Sequence, residues 1–185
     1  MTEKLYFATK NINKFNEVKS ILSTYNIQID ISELDLQEIQ SDDLSKIAYE
    51  KAKDACRFLN SKVIIEDDGL FIDALNGFPG SYSAFVLKTI GNKGILQLIR
   101  DKENRNAMFI SIIAYCEPNK NPLTFIGEVK GSIASGERGK VWGYDPIFVP
   151  NGANGLTYAE LGSKKNELSH RKLALEQFAK WYTEK

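Results

Sequence analysis

The sequence has a single histidine, His170, and only two cysteines, Cys56 and Cys116, in 185 residues. This scarcity argues against a zinc centre, which draws four ligands from histidine, cysteine and carboxylate. No CxxC spacing occurs, and both cysteines fall in apolar-periodic stretches, so buried free thiols of a reducing cytosol are expected rather than a disulfide. No excess of either charge is present: 24 Lys+Arg balance 24 Asp+Glu. A chain that coats nucleic acid draws most of its affinity from neutralised phosphates and shows a basic excess. No nucleic-acid partner is therefore expected, and any phosphate binding should be confined to a pocket. No apolar run approaches the roughly 18 residues that span a bilayer. The stretch Leu5–Ala8 behind Met1-Thr2-Glu3-Lys4 is too short for a signal peptide. A cytoplasmic protein without a membrane partner is the expectation. The GxxxxGK[ST] phosphate loop and the GxSxG nucleophile elbow are also missing.

What is present reads as an ordinary globular chain, with 43% hydrophobic and 26% charged residues. Its length suits one domain, or two lobes sharing one sheet, without covalent staples. A strand over Leu5–Ala8 runs into a helix with Phe15, Val18, Ile21 and Leu22 on one face. Alternation of Ile27, Ile29 and Ile31 predicts a second strand. Leu44, Ile47, Ala48, Ala52, Ala55 and Leu59 form the stripe of a helix over 44–59, with Asp42 and Asp43 as capping candidates. Val63-Ile64-Ile65 reads as a strand that stops at Glu66. A helix is expected over about 93–100, then strands near 107–116 and 124–133 joined by a hairpin loop at 118–122. The Gly- and Pro-rich stretch 136–155 reads as loop, and a last helix spans about 169–181. Strands alternating with helices, plus a hairpin, predict an α/β fold with a mixed sheet.

Four polar clusters stand out. Thr9-Lys10-Asn11-Ile12-Asn13-Lys14 lies where a strand enters a helix, and a helix N-terminus cradles anions; an ordinary polar turn would read the same. Glu66-Asp67-Asp68-Gly69 sets three acids in a row behind an apolar strand. Such a block repels itself unless it is solvated or balanced by a cation, and its hard oxygen donors suit Mg²⁺; an acidic turn is the bland alternative. Trp142-Gly143-Tyr144-Asp145-Pro146 could bracket a planar base between aromatic faces, or could simply anchor a loop in the core. Lys164-Lys165-Asn166-Glu167-Leu168-Ser169-His170-Arg171 puts cations in the first turn of the last helix. The helix dipole disfavours them there, which hints at an anionic partner. Together the clusters supply a metal seat, phosphate-binding cations and a base clamp, the parts of a nucleotide hydrolase.

Along the chain these blocks, with Phe78-Pro79-Gly80-Ser81-Tyr82-Ser83, resemble the HAM1-like family of inosine triphosphate pyrophosphatases, from about residue 5 to residue 175. The resemblance implies an elongated central mixed β-sheet flanked by helices, two lobes around a deep active-site cleft, one domain over 1–185, and a homodimer. It implies Mg²⁺-dependent hydrolysis of the non-standard purine nucleoside triphosphates ITP, dITP and XTP to monophosphate and pyrophosphate. By position, Thr9, Lys10, Asn11, Ile12, Asn13, Lys14 and Lys51 would hold the triphosphate. Glu38 would ligate the metal with Glu66 or Asp67 as the second ligand. Asp67 matches the general base, aided by Lys14 and Lys51, and Asp68 a substrate contact. Trp142 and Tyr144, with Gly143 and Asp145 between and beside them, would sandwich the purine. Lys165, His170 and Arg171 would surround the base and sugar, with His170, Arg171 or nearby backbone amides reading the 6-oxo group.

Three positions depart from the family pattern: Lys10 replaces the glycine of T-G-N-x-x-K, Asp68 a common serine, and Trp142 a phenylalanine. A Maf-type pyrophosphatase is the nearest rival reading, against which the Ser169-His170-Arg171 block and the aromatic pair argue. A regulatory nucleotide-binding module without catalysis would have no need to gather Glu38, Glu66 and Asp67 beside a phosphate site.

Overall fold

The computed structural model describes residues 4–185; the part of the leader reading that falls on Met1–Glu3 lies outside them. Leu5–Ala8 forms strand β1, which leads through Asn11 into helix α1, Ile12–Ser23. Asn11 Oδ1 accepts from the backbone N–H groups of Asn13 and Lys14, and Asp43 does the same for Ser45 and Lys46 at the start of α2, Leu44–Leu59. Both caps satisfy donors that a helix start otherwise leaves orphaned. The predicted stripe of α2 is buried from Leu44 to Ala55, while Leu59 is half-buried.

β1 pairs in parallel with β2, Asp30–Ser32, and with β3, Lys62–Ile72. The expected second strand therefore pairs only from Asp30 onward, although Ile27 and Ile29 are buried as their alternation required. After β3 come β4 (Pro79–Gly80), α3 (Ser83–Thr89) and α4 (Gly91–Leu98), then the long strands β5 (Asn106–Cys116) and β6 (Leu123–Ile133). The helix placed at 93–100 starts and ends two residues earlier, and α3 had no counterpart in the sequence reading. The stretch read as loop contains β7, Phe148–Pro150, which pairs antiparallel with β6. Short α5 (Tyr158–Leu161) and α6 (Lys165–Leu168) precede α7, His170–Glu184, longer at its C-terminal end than expected. The strands form one seven-stranded sheet in the order β2-β1-β3-β5-β6-β7, with β4 paired to β3. Parallel and antiparallel pairings coexist, so the predicted mixed α/β sheet is present.

The acid block required a correction. β3 does not stop at Glu66 but runs through Glu66, Asp67, Asp68 and Gly69 to Ile72. Gly69 is no turn residue. A Cβ there would sit 2.5 Å from the Gly80 carbonyl oxygen, so the glycine permits the close approach of β4.

Contacts divide the chain into two compact units. One comprises the chain up to Asp67, Ser111–Gly127 and Arg171–Lys185; its core holds Phe7, Val18, Leu22, Ile64, Ile113, Leu175 and Phe178. The other comprises Asp68–Ile110 and Glu128–His170, with Leu70, Ile72, Ile95, Ile99, Ile147, Phe148 and Tyr158 at its centre. Each such side chain contributes about 1.5–3 kcal/mol by burial. Cys56 and Cys116 are buried and free, and burial pushes the Cys116 thiol up to about 12.

Candidate functional site

In the first unit the carboxylates of β3 meet cations from three helices. Glu66 is buried; its Oε1 accepts from Ser111 Oγ at 2.8 Å and lies 2.8 Å from Arg171 Nε. Lys14 Nζ stands 3.6 Å from the other oxygen, Oε2. Arg171 is itself buried and also donates through Nη1 to Glu17 of α1. Lys51 of α2 donates to Glu38 Oε2 and to Asp67 Oδ1, both at 2.8 Å. Successive residues on a strand point to opposite faces, which accounts for the separate partner sets of Glu66 and Asp67.

Burial raises the Asp67 pKa above its ordinary value, against the pull of Lys51 and Lys14. Burial alone would lower Lys51, but Asp67 and Glu38 outweigh it and hold this ammonium above its ordinary value. The pair therefore keeps Lys51 charged. At the turn before α1, the backbone N–H groups of Asn11, Asn13 and Lys14 are taken by Thr9 Oγ1 and Asn11 Oδ1. Those three amides serve the fold, so the lysines are the cations this segment offers to an anion. Ile12 and Asn13 are exposed, and Lys10 Nζ pairs with Asp35 at 2.7 Å.

The second unit gathers aromatic rings. Tyr144 is buried against Phe109, its hydroxyl donating to the Ser83 carbonyl at 2.8 Å. Burial pushes its phenol well above the usual value, with a further contribution from Asp68. Trp142 is half-buried, and the Lys165 ammonium lies 5.1 Å from its ring centroid. That ammonium makes a buried 2.7 Å ion pair with Asp145. Gly143, at φ +74, adopts the left-handed conformation between the two aromatics, and its carbonyl accepts from Asn92 at 3.1 Å. The imidazole of His170 stacks on Phe109 at 4.4 Å with an interplanar angle of 5°. Its Nε2 lies 3.8 Å from Asp68 Oδ2.

The structure thus brings together Lys14 with Glu66, and Lys51 with Glu38 and Asp67, in one unit, and Trp142, Asp145 and Lys165, with His170 and Asp68, in the other. It separates the consecutive residues His170 and Arg171 into different units. Protein carboxylates stand beside both residues at the start of the last helix: Glu66 and Glu17 by Arg171, Asp68 by His170. The sequence reading missed Glu17, Asp35, Phe109 and Ser111. Of these, Phe109 and Ser111 could have been linked by the period of two along β5. Asp35 carried no local signal.

Among the described residues no group of three or more His, Cys, Asp and Glu side chains is placed to hold a metal ion. A magnesium site needs fewer, since Mg²⁺ usually takes one or two carboxylates and fills its shell with water and phosphate oxygens. Glu66 Oε2 and Asp67 Oδ2 are buried oxygens without a hydrogen bond. Glu38 and Asp67 already converge on one cation, the Lys51 ammonium. That donor set fits a hard divalent cation.

The sequence profile of the Ham1 family matches residues 5–181. A dITP/XTP pyrophosphatase of Methanopyrus kandleri is 53% identical over 97% of this chain and 96% of its own. One of Methanosarcina acetivorans is 45% identical over 98% of both chains. Among solved structures, a HAM1 protein from Coxiella burnetii superposes with a TM-score of 0.86 at 30% identity, covering all of both chains. The Staphylococcus aureus Ham1 protein does so at 0.83 and 28%, over 98% of this chain and 99% of the other.

Proposed function

The chain belongs to the Ham1 family, and from that premise we propose that it hydrolyses dITP, XTP and ITP to the nucleoside monophosphate and pyrophosphate. The observation that carries this reading is the buried Asp67 carboxylate, with Oδ1 fixed by Lys51 and Oδ2 free of hydrogen bonds. An oxygen so placed can take a proton from water while its partner oxygen keeps the group oriented. The water oxygen bonds to the α-phosphorus, the bridge to the β-phosphate breaks, and the water proton goes to Asp67. Charge collects on the departing pyrophosphate, where Lys14 and Lys51 supply fixed cations.

Magnesium belongs to this reading as cofactor. Glu38 and Asp67 would hold it, with Glu66 Oε2 the further buried oxygen on β3. Bound there, it would neutralise phosphate oxygens and orient the chain of phosphates. Trp142, with the Lys165–Asp145 pair behind it, gives the purine a rigid face. His170 is the side chain for the 6-oxo group, because Arg171 is engaged by Glu66 and Glu17. Donors aimed at a carbonyl would be left unpaired opposite an adenine amino group, and such mismatches discriminate strongly.

A cytoplasmic location and a homodimer complete the reading. Two free buried thiols favour a reducing compartment, and exposed Tyr82, Phe85 and Ile90 offer apolar surface to a second copy. Among the described residues no helix is long and apolar enough to cross a membrane. The test is a panel of nucleoside triphosphates with and without Mg²⁺, scoring monophosphate and pyrophosphate. Activity on XTP and ITP far above ATP and GTP, abolished by chelation, is expected. Orthophosphate release, or equal rates on ATP, would overturn the proposal. Sedimentation of the purified chain decides the dimer.

A further inference from the structure

At the end of β3 remote from its carboxylates, the first unit has a cavity of about 460 Å³. Four lysines line it: Lys4 before β1, Lys62 at the start of β3, Lys120 in the β5–β6 hairpin and Lys185 after α7. Glu117 is the one carboxylate side chain among the described lining residues, and Ser61 adds a hydroxyl. From Lys62 to Asp67 the strand rises about 16 Å, so this cavity is separate from the candidate site. β1 and β3 pair in parallel with Leu5 opposite Lys62, which brings the ammonium groups of Lys4 and Lys62 to neighbouring strand starts. Like charges so placed repel. Glu117 is buried and both its oxygens are engaged: Oε1 pairs with Lys120, while Oε2 accepts from Lys185 at 2.7 Å and from Tyr115 at 3.0 Å. Lys185 also lies 5.2 Å from the ring centroids of Tyr115 and Trp181. A buried carboxylate and two rings therefore fix Lys120 and Lys185 in the wall. Lys4 pairs with Asp30 at 3.3 Å in an exposed contact, which solvent and salt weaken.

The chain as a whole is neutral, with 24 Lys+Arg against 24 Asp+Glu, yet this cavity sets four ammonium groups against one carboxylate. Its volume falls within the roughly 300–1,000 Å³ of pockets that take small molecules. We propose that it is a second anion site, apart from the residues around Asp67, and that it takes the diphosphate group of inorganic pyrophosphate or of a nucleotide. Two phosphate groups, at about −1.5 to −2 charges each, match the surplus that the lysines leave over Glu117. Lysine suits such a ligand, because a compact ammonium with rotatable donors follows phosphate oxygens without demanding one fixed geometry. Glu117 holds two of the cations at their places before the anion arrives, which lowers the cost of ordering them on binding.

The experiment is calorimetric titration of inorganic pyrophosphate, without divalent metal and at physiological salt, into wild type and the double variant Lys4→Gln/Lys120→Gln. The two side chains are 68% and 64% exposed, and thermal midpoints check the fold. Wild type should show a binding event that weakens roughly tenfold or more in the double variant, the worth of one or two charge-assisted hydrogen bonds. The kcat and KM for ITP should stay as they are in wild type. Lys51→Gln, at the other end of the unit, should leave the same event in place. Equal pyrophosphate binding by wild type and the double variant overturns the proposal. So does loss of the event in Lys51→Gln alone, or a matching rise of KM for ITP in the double variant, since either would assign the binding to the residues around Asp67. Titration of ADP into the same proteins separates the two sources. A lysine-dependent event with pyrophosphate alone assigns the site to the inorganic ion, and one that appears with ADP as well assigns it to a diphosphate carried by a nucleotide.

Discussion

Around Asp67 the polar side chains share partners: Lys51 serves two carboxylates, Glu66 meets Arg171, Ser111 and Lys14, and Arg171 serves Glu66 and Glu17. Around Trp142 the buried ion pair Lys165–Asp145 sits among aromatic rings, and His170 lies flat on Phe109. The first arrangement can exchange one partner for another without leaving a charge bare, as the arrival of a polyanion requires. The second fixes planar faces by packing, which suits a ligand that must be recognised by shape and by one or two polar atoms. Charge is adjustable in one unit and locked in the other.

The largest effect expected from breaking this contrast is that of Arg171→Ala. It removes the closest cation of Glu66, whose side chain is fully buried and keeps Ser111 and the more distant Lys14, and should cost about 3–5 kcal/mol of stability in urea unfolding. A loss below about 1 kcal/mol would mean that the shared network relaxes around a missing cation more readily than buried pairs generally do. Next comes Asp67→Asn, for which kcat should fall by about 10²-fold or more while ITP still binds. Near-normal turnover would take Asp67 out of the chemistry and leave it as a partner of Lys51. On the aromatic side, Trp142→Ala should weaken ITP binding by about 1–3 kcal/mol, seen in KM with kcat held, and Trp142→Phe should restore most of it. Equal losses in the two variants would assign Trp142 to the loop rather than to the base.

The smallest effect concerns Glu117, a carboxylate in the first unit outside the candidate site. Hydrogen bonds from Lys120, Lys185 and Tyr115 hold its pKa down to about 2 from 4.5. A depressed folded pKa adds stability above the unfolded value, and that share is lost as pH falls from about 4.5 through about 2. Thermal midpoints across that window should fall less steeply in Glu117→Gln than in wild type. An unchanged acid limb would show that these lysines are held by the fold without help from Glu117.

Much of this could be read from the sequence where the signal was periodic. The buried stripe of α2, its cap at Asp43 and the β5–β6 hairpin follow from spacing and short-range hydrogen bonding. The run of β3 through three acids did not, because local charge argues for ending the strand. What overrides it is distant in sequence: Lys51 on α2, and His170 and Arg171 at the start of α7. The aromatic pair was legible only as two rings flanking a glycine. Spacing could not tell that Tyr144 gives its hydroxyl to Ser83 and its ring to the core while Trp142 stays half-exposed. The parting of Arg171 from His170 has the same origin, since adjacency in the chain says nothing about which carboxylate a side chain will find.

The acid block has one last consequence. Glu66, Asp67 and Asp68 are consecutive, yet each faces a different side chain: Arg171, Lys51 and His170. A slip of β3 by one residue against β1 would turn every side chain to the opposite face and set carboxylates against the hydrophobic core. Three adjacent acids, a burden when read along the chain, therefore act as a proofreading mark during folding, because only one alignment of the strand leaves each of them beside its partner.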